Sequence, residues 1–225
     1  MVRRPNNSLH PTIASVTLCA GAQTAPATLA GEPNVSQSAE RSSLETFAKA
    51  RELVEDRGFV RARQKSIAEL DLSSIDDPIA DIVEGFGALP HCFTLQCCCG
   101  HFLCLPEQGL HSIDRIPPGF SGLATYRIAY IAFCLENSRR GQALLQSLAQ
   151  LPAVDPDFVQ FGSADWFWER WINSYALQVE PKAHMLKDEV ILGAAEALQT
   201  QAARDLLFRE LRVLLAAELH EHEAG

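Results

Sequence analysis

From Ala124 to Leu135 the chain reads ATYRIAYIAFCL, apolar at odd and even positions alike. A strand of this kind has to be covered on both faces, which places it at the centre of a sheet. Tyr126, Ala129, Tyr130 and Phe133 also fit a helix by spacing, so the period alone leaves both forms open. Upstream, Cys92 to Leu105 reads as a strand pair or as one long bent strand, with Gly100 as the bend. Asp157 to Phe161 and Asn173 to Glu180 read as further strands. In the latter, Tyr175, Leu177 and Val179 alternate with Ala176, Gln178 and Glu180.

Helical periods surround these strands. Ser42-Ser43-Leu44-Glu45 fits a capping box, and Leu44, Phe47, Ala48, Arg51 and Val54 follow at helical spacing up to Gly58. A second helix is expected over Val60 to Leu70. Asp77-Pro78 supplies a cap and a first-turn proline for a third over Ile79 to Phe86. Ser138 to Leu151 reads as helix, and everything from Asp188 onward reads as helix, with Leu207, Leu211, Leu214 and Leu215 on one face. Helices, strands, helix, strands and helices in that order imply an α+β fold, with a mixed sheet flanked by helices and a helical C-terminus.

Residues 1–40 are rich in Ala, Thr, Ser, Pro and Gly without a sustained period, and are expected to be disordered or loosely attached. A signal peptide is the rival reading, with Arg3 and Arg4, a weak apolar stretch from Ile13 to Ala22, and Ala25-Pro26-Ala27. Residues 41–225 are then expected to form a single α+β domain. The net charge is −9, which argues against broad nucleic-acid binding through phosphate neutralisation. The longest apolar runs are too short for a membrane span. Five of the seven cysteines fall between Cys92 and Cys104. That crowding is expected of reduced thiols in the cytoplasm rather than of a disulfide framework.

The densest chemistry lies in Thr94-Leu95-Gln96-Cys97-Cys98-Cys99-Gly100-His101-Phe102. Strand parity puts Phe93, Leu95, Cys97, Cys99, His101 and Leu103 on one apolar face, where reduced cysteine behaves as a small hydrophobe. Cys92, Thr94, Gln96 and Cys98 share the other, as a thiol among hydrogen-bonding groups. A metal is the competing reading, with Cys97, Cys99, His101 and Cys104 as its ligands. It is not favoured, because Cys97 and His101 lie about 13 Å apart on a straight strand. Trp166, Phe167, Trp168 and Trp171 form an aromatic group that either caps the core or offers a stacking platform. Gly85-Phe86-Gly87 lacks the strand-then-helix setting of a dinucleotide loop.

The run from about Phe47 to Phe102 resembles the first half of the tRNA wybutosine-synthesis methyltransferases. Leu72-Ser73-Ser74-Ile75-Asp76-Asp77-Pro78-Ile79 stands where that family has an acidic segment before a helix. Thr94, Cys98 and Gly100 fall on the threonine, cysteine and glycine of its strand-end signature. Cys97 and Cys99 replace the flanking serines, and His101 replaces the arginine. Tyr175 to Glu180 matches a later strand. The chain is also similar to a set of bacterial proteins of unassigned function that carry T-L-Q-C-C-x-G-H-F, V-Q-F-G and W-F-W-E-R.

The resemblance implies an S-adenosylmethionine-dependent enzyme acting on tRNA. The expectation carried forward is an S-adenosylmethionine or nucleotide-like ligand in a cleft near Cys98, contacted by Thr94, Gln96, Cys98, Gly100, His101 and Trp168. The first alternative is a Cys/His metal-binding or thiol-reactive module, with zinc as the less favoured cofactor. The second is a non-enzymatic interaction domain, with its leucine-faced helix serving a partner or a homodimer.

Overall fold

The computed structural model describes residues 49–104, 115–163, 165–184 and 188–224. The N-terminal segment 1–40 expected to be disordered, the beginning of the first expected helix and residues 105–114 at the start of the expected loop lie outside these residues. Helices α1 (Phe59–Glu69), α2 (Asp77–Ala88), α3 (Arg139–Gln150), α4 (Asp165–Trp168) and α5 (Ala194–Ala224) surround one sheet. Its strands are β1 (Cys92–Leu103), β2 (Leu123–Leu135), β3 (Val159–Gly162), β4 (Ser174–Val179) and β5 (Glu189–Gly193). The α+β arrangement expected from the sequence, with flanking helices and a helical C-terminus, is the one the chain forms. Every described pairing is antiparallel, which narrows the mixed sheet of that expectation.

The segment apolar on both parities is the central strand. One edge of β2 pairs with β1 along most of its length, and the other is shared. Ala129 to Cys134 pair with β4, and Leu123 to Arg127 pair with β5. Odd positions of β2 (Ala129, Ile131, Phe133, Leu135) enter a core with α2, α3 and α5. Ala132 and Cys134 enter a second core on the opposite face, against Phe59 of α1 and Phe93 and Leu95 of β1. Burying each such side chain contributes roughly 1.5–3 kcal/mol, so neither face of β2 tolerates exposure. The partner change happens at Ile128, whose amide bonds to the Asp188 carbonyl between the two partner strands. Beyond it, Phe102, Ala124, Tyr126, Val190 and Leu192 form a third cluster.

Two elements differ from the sequence expectation. The helix expected up to Gly58 is absent from its described part, Lys49 to Arg57, which has no regular secondary structure. Side chains tie that segment down. Ser163 accepts from the Arg51 amide, Tyr175 donates to the Arg51 carbonyl, and the Asn173 amide group pairs with both backbone groups of Val54. Tertiary hydrogen bonds therefore outcompete a local period of moderate strength. Secondly, Glu189 to Gly193 is a strand and not the start of the last helix. Its burial alternates, Val190 and Leu192 inward and Glu189, Ile191 and Gly193 outward, which is a period of two. No helix of the described residues is long and apolar enough to cross a membrane.

Candidate metal centre

β1 is an edge strand with two irregularities, and both concern the cysteine cluster. A bulge between Thr94 and Gln96 inserts one residue against β2. It reverses parity, so Phe93 and Leu95 face the α1 side while Cys97 and Cys99 face the helical core. The single face expected for Phe93 through Leu103 is thus split at the bulge. The second irregularity is Gly100, at φ +80°. It lies opposite Ile128, where β2 changes partners. A Cβ here would meet the Ala129 Cβ at 2.8 Å and the Tyr126 hydroxyl at 3.1 Å. The position needs glycine for both its φ and its space. The Tyr126 hydroxyl accepts from the Ala129 amide and donates to the Val179 carbonyl, closing the seam between β4 and β5. Burial pushes the Tyr126 phenol well above its ordinary pKa, so it stays a donor.

The bend decides the chemistry. On a straight strand Cys98 and His101 point to opposite faces, with their Cα atoms about 10 Å apart. Here the donor atoms of Asp76, Cys98 and His101 all lie within 4.8 Å of one another. Asp76 stands at the N-cap position of α2 without a side-chain bond to the helix amides, and α2 packs on β1 through Ile79, Ile82 and Phe86. Its Oδ2 accepts from the Cys99 amide at 2.9 Å and sits 3.4 Å from His101 Nε2. Cys98 is 3% exposed, whereas the side chains of His101 and Asp76 are 2% and 21% exposed. His101 beside it, together with the Cys99 amide, lowers the Asp76 pKa to about 2, outweighing the opposing effect of burial. The carboxylate is therefore ionised at neutral pH without a metal.

The donor set fits a divalent ion of the zinc class. Zinc accepts thiolate, imidazole and carboxylate together, and bonds of about 2.1 Å at tetrahedral angles separate two ligand atoms by roughly 3.4 Å. The His101–Asp76 separation already has that value. One thiolate and one carboxylate balance a dipositive charge. The Cys99 amide on Asp76 is the kind of outer contact that orients a ligating carboxylate.

The remaining candidates are distributed elsewhere. Cys99 is fully buried in the helical core, Cys97 packs against that core, and Cys104 belongs to the third cluster. Of the four ligands named from the sequence, only His101 is in the converged group. Thr94 is buried, and its carbonyl accepts from Ser66 of α1. Gln96 is exposed beside the bulge. Trp168 meets Tyr175 edge-on and lies under the Arg51 guanidinium. The described aromatics of its segment wedge into the cores, Phe167 and Trp171 against Phe93 and Ala132, and Trp168 against Tyr175. Burial raises the thiol pKa of Cys92 and Cys104, and pushes that of Cys134 up to about 12. Asp76, read from the sequence only as part of the acidic segment before a helix, is not among the expected ligands; its contacts with Cys99 and His101 place it at the edge of β1.

No family model matches the chain, and no curated protein does. Among solved structures, the PH1069 protein from Pyrococcus horikoshii is similar at 10% identity, over 70% of this chain and 96% of that one, with a TM-score of 0.43. Likeness at that level carries no functional argument. The expectation of an S-adenosylmethionine or nucleotide-like ligand with methyltransferase-like character is corrected by these findings. The sheet is antiparallel wherever it is described, without the parallel strand–loop–helix unit that presents glycine amides to a nucleotide. Cys98 and His101, two of the six residues expected to contact that ligand, lie with Asp76 in a metal-type donor set. The order of the two cofactor expectations is reversed accordingly.

Proposed function

We propose that this protein is a metal-binding module that holds a zinc-class divalent cation on Asp76, Cys98 and His101. The observation that carries the reading is the convergence of three chemically different donors within 4.8 Å, across a bend that only glycine permits. Three protein ligands leave the fourth tetrahedral position for water or for a donor atom of a bound molecule. The Asp76 carboxylate is oriented for the site by the Cys99 amide it accepts from. A bound metal would be held by Cys98 as the thiolate, its proton passing to solvent, and by His101 as the neutral imidazole.

Elemental analysis of the full chain, produced with zinc and purified without chelator, tests this. The expected result is close to one zinc per chain, and less than about one-tenth would overturn the reading. Cobalt loading adds a second readout. A thiolate-to-cobalt band in the near ultraviolet that disappears in Cys98→Ser is expected, and a band that survives that substitution places the metal elsewhere.

A further inference from the structure

The bend at Gly100 needs something to hold it, because glycine, which allows it, also allows the peptide after it to rotate. On one side the Tyr126 hydroxyl packs against the bend. On the other, Arg204 of α5 donates from Nη1 to the Gly100 carbonyl at 2.9 Å. Resting on the metal reading above, we propose that Arg204 is a positioning residue for the Asp76, Cys98 and His101 centre, acting through that carbonyl.

The setting of Arg204 is that of a fixed pointer. Its side chain is 3% exposed, and its Nε and Nη2 hold Asp205 Oδ1 at 3.2 and 2.9 Å. The guanidinium lies over the Phe102 ring, 5.5 Å from its centroid. Asp205 balances the charge and Phe102 covers one face, which leaves Nη1 aimed at Gly100. Only the Arg204 end of this pair is buried, Asp205 being 33% exposed and shared with Arg115, and burying a guanidinium is costly enough that an apolar side chain of similar volume serves stability alone as well or better. What an apolar side chain cannot do is fix the carbonyl direction of the residue between the two ligands. That carbonyl belongs to the peptide unit entering His101, so its rotation changes where His101 points relative to Cys98. Lysine does not replace arginine in this role. One ammonium on a flexible stem cannot hold Asp205 and the Gly100 carbonyl together as a planar fork does.

The test compares the full-length protein with Arg204→Gln, Arg204→Lys and, as a control, Tyr175→Phe. The control removes only the hydrogen bond to the Arg51 carbonyl, outside the bend. Zinc affinity is read by competition with a chromophoric chelator, and geometry by the visible spectrum of the cobalt-loaded protein. Arg204→Gln should bind zinc about 10- to 100-fold more weakly, the usual cost of losing a contact behind a ligand, with a shifted cobalt spectrum. Arg204→Lys should rescue neither, while Tyr175→Phe stays within about twofold of the parent because the sites do not share partners. Where Arg204→Gln fails to fold, Asp205→Asn, which loosens the guanidinium without removing it, replaces it and is expected to lie between the two. Folded Arg204 variants with parental affinity and spectrum overturn the inference while leaving the metal reading intact. Full rescue by lysine also overturns it, by reducing the role to charge. A parent protein that takes up neither zinc nor cobalt removes both.

Discussion

Asp76 and His101 come from two elements, a helix cap and an edge strand, and their facing atoms Oδ2 and Nε2 lie 3.4 Å apart. Asp76→Asn keeps the shape of this contact and removes its charge. The variant should lose at least about tenfold in zinc affinity through the weaker ligand and its altered orientation. It should also lose about 1–2 kcal/mol of stability without metal, because the Cys99 amide then donates to a neutral oxygen. Chelator competition and urea unfolding in excess chelator measure the two effects separately. Parental affinity would remove Asp76 from the ligand set.

Gly100→Ala tests the bend itself. A left-handed φ costs a residue with a Cβ about 1–2 kcal/mol. The new methyl would also lie 2.8 Å from the Ala129 Cβ, which adds strain in a packed interior. A loss of about 2–4 kcal/mol in urea unfolding is expected, accompanied by loss of zinc uptake in whatever fraction remains folded. Gly119, at φ +75° with open space around it, is the contrasting site. Its alanine variant should lose only the backbone term and keep zinc binding.

Acid should destabilise the protein in two separate windows. His91 is 2% exposed, and burial lowers its pKa from 6.5 to about 4, with the charges of Arg140, His222 and Arg63 adding to the shift. Its folded form binds the proton less readily than the unfolded chain does. Stability therefore falls as pH drops from about 6.5 to 4, by a total on the order of 3 kcal/mol, and is fully present above 6.5. Glu218, 4.0 Å from the ring, reduces that loss if it closes on the charged imidazole. The depressed Asp76 pKa adds a second loss as pH falls from 3.8 to about 2. Urea midpoints across this range should show the upper window disappear in His91→Gln and the lower one in Asp76→Asn. An unchanged upper slope in His91→Gln would assign that window to other groups.

The central strand is legible in the sequence because it is apolar on both faces, and the bounds of α1, α2 and α3 and the leucine face of α5 because each repeats a helical period against a core. The cysteine cluster is legible only in part. Parity correctly assigns Cys97 and Cys99 to the core. It separates Cys98 from His101 because it assumes a straight strand between them, and the structure has a positive φ at Gly100. Glycine in the sequence announces that a bend is permitted, but the Tyr126 and Arg204 contacts that make it occur arrive from distant elements. Asp76 was hidden for a related reason. Its partners Cys99 and His101 are more than twenty positions away, and no local period connects a helix cap with the edge of a strand. β5 was concealed by its short length and by the long helix that follows it immediately.

The segment Lys49 to Arg57 holds its course by similar long-range contacts, with Asn173 at their centre. This residue has φ 63°, and its amide group both accepts from the Val54 nitrogen and donates to the Val54 carbonyl at 2.8 Å. The two roles separate by substitution. Asn173→Gly keeps the backbone geometry and loses both hydrogen bonds, for a cost of about 1–3 kcal/mol. Asn173→Ala loses the bonds and strains the backbone by roughly a further 1–2 kcal/mol. Trypsin has sites at Lys49, Arg51 and Arg57 in this segment, so native-state proteolysis reads its opening directly. Cleavage there should be faster in both variants than in the parent, while the global urea midpoint falls further for alanine than for glycine. Equal midpoints would show that the left-handed backbone at Asn173 carries no strain for alanine, leaving the hydrogen bonds to Val54 as the whole effect.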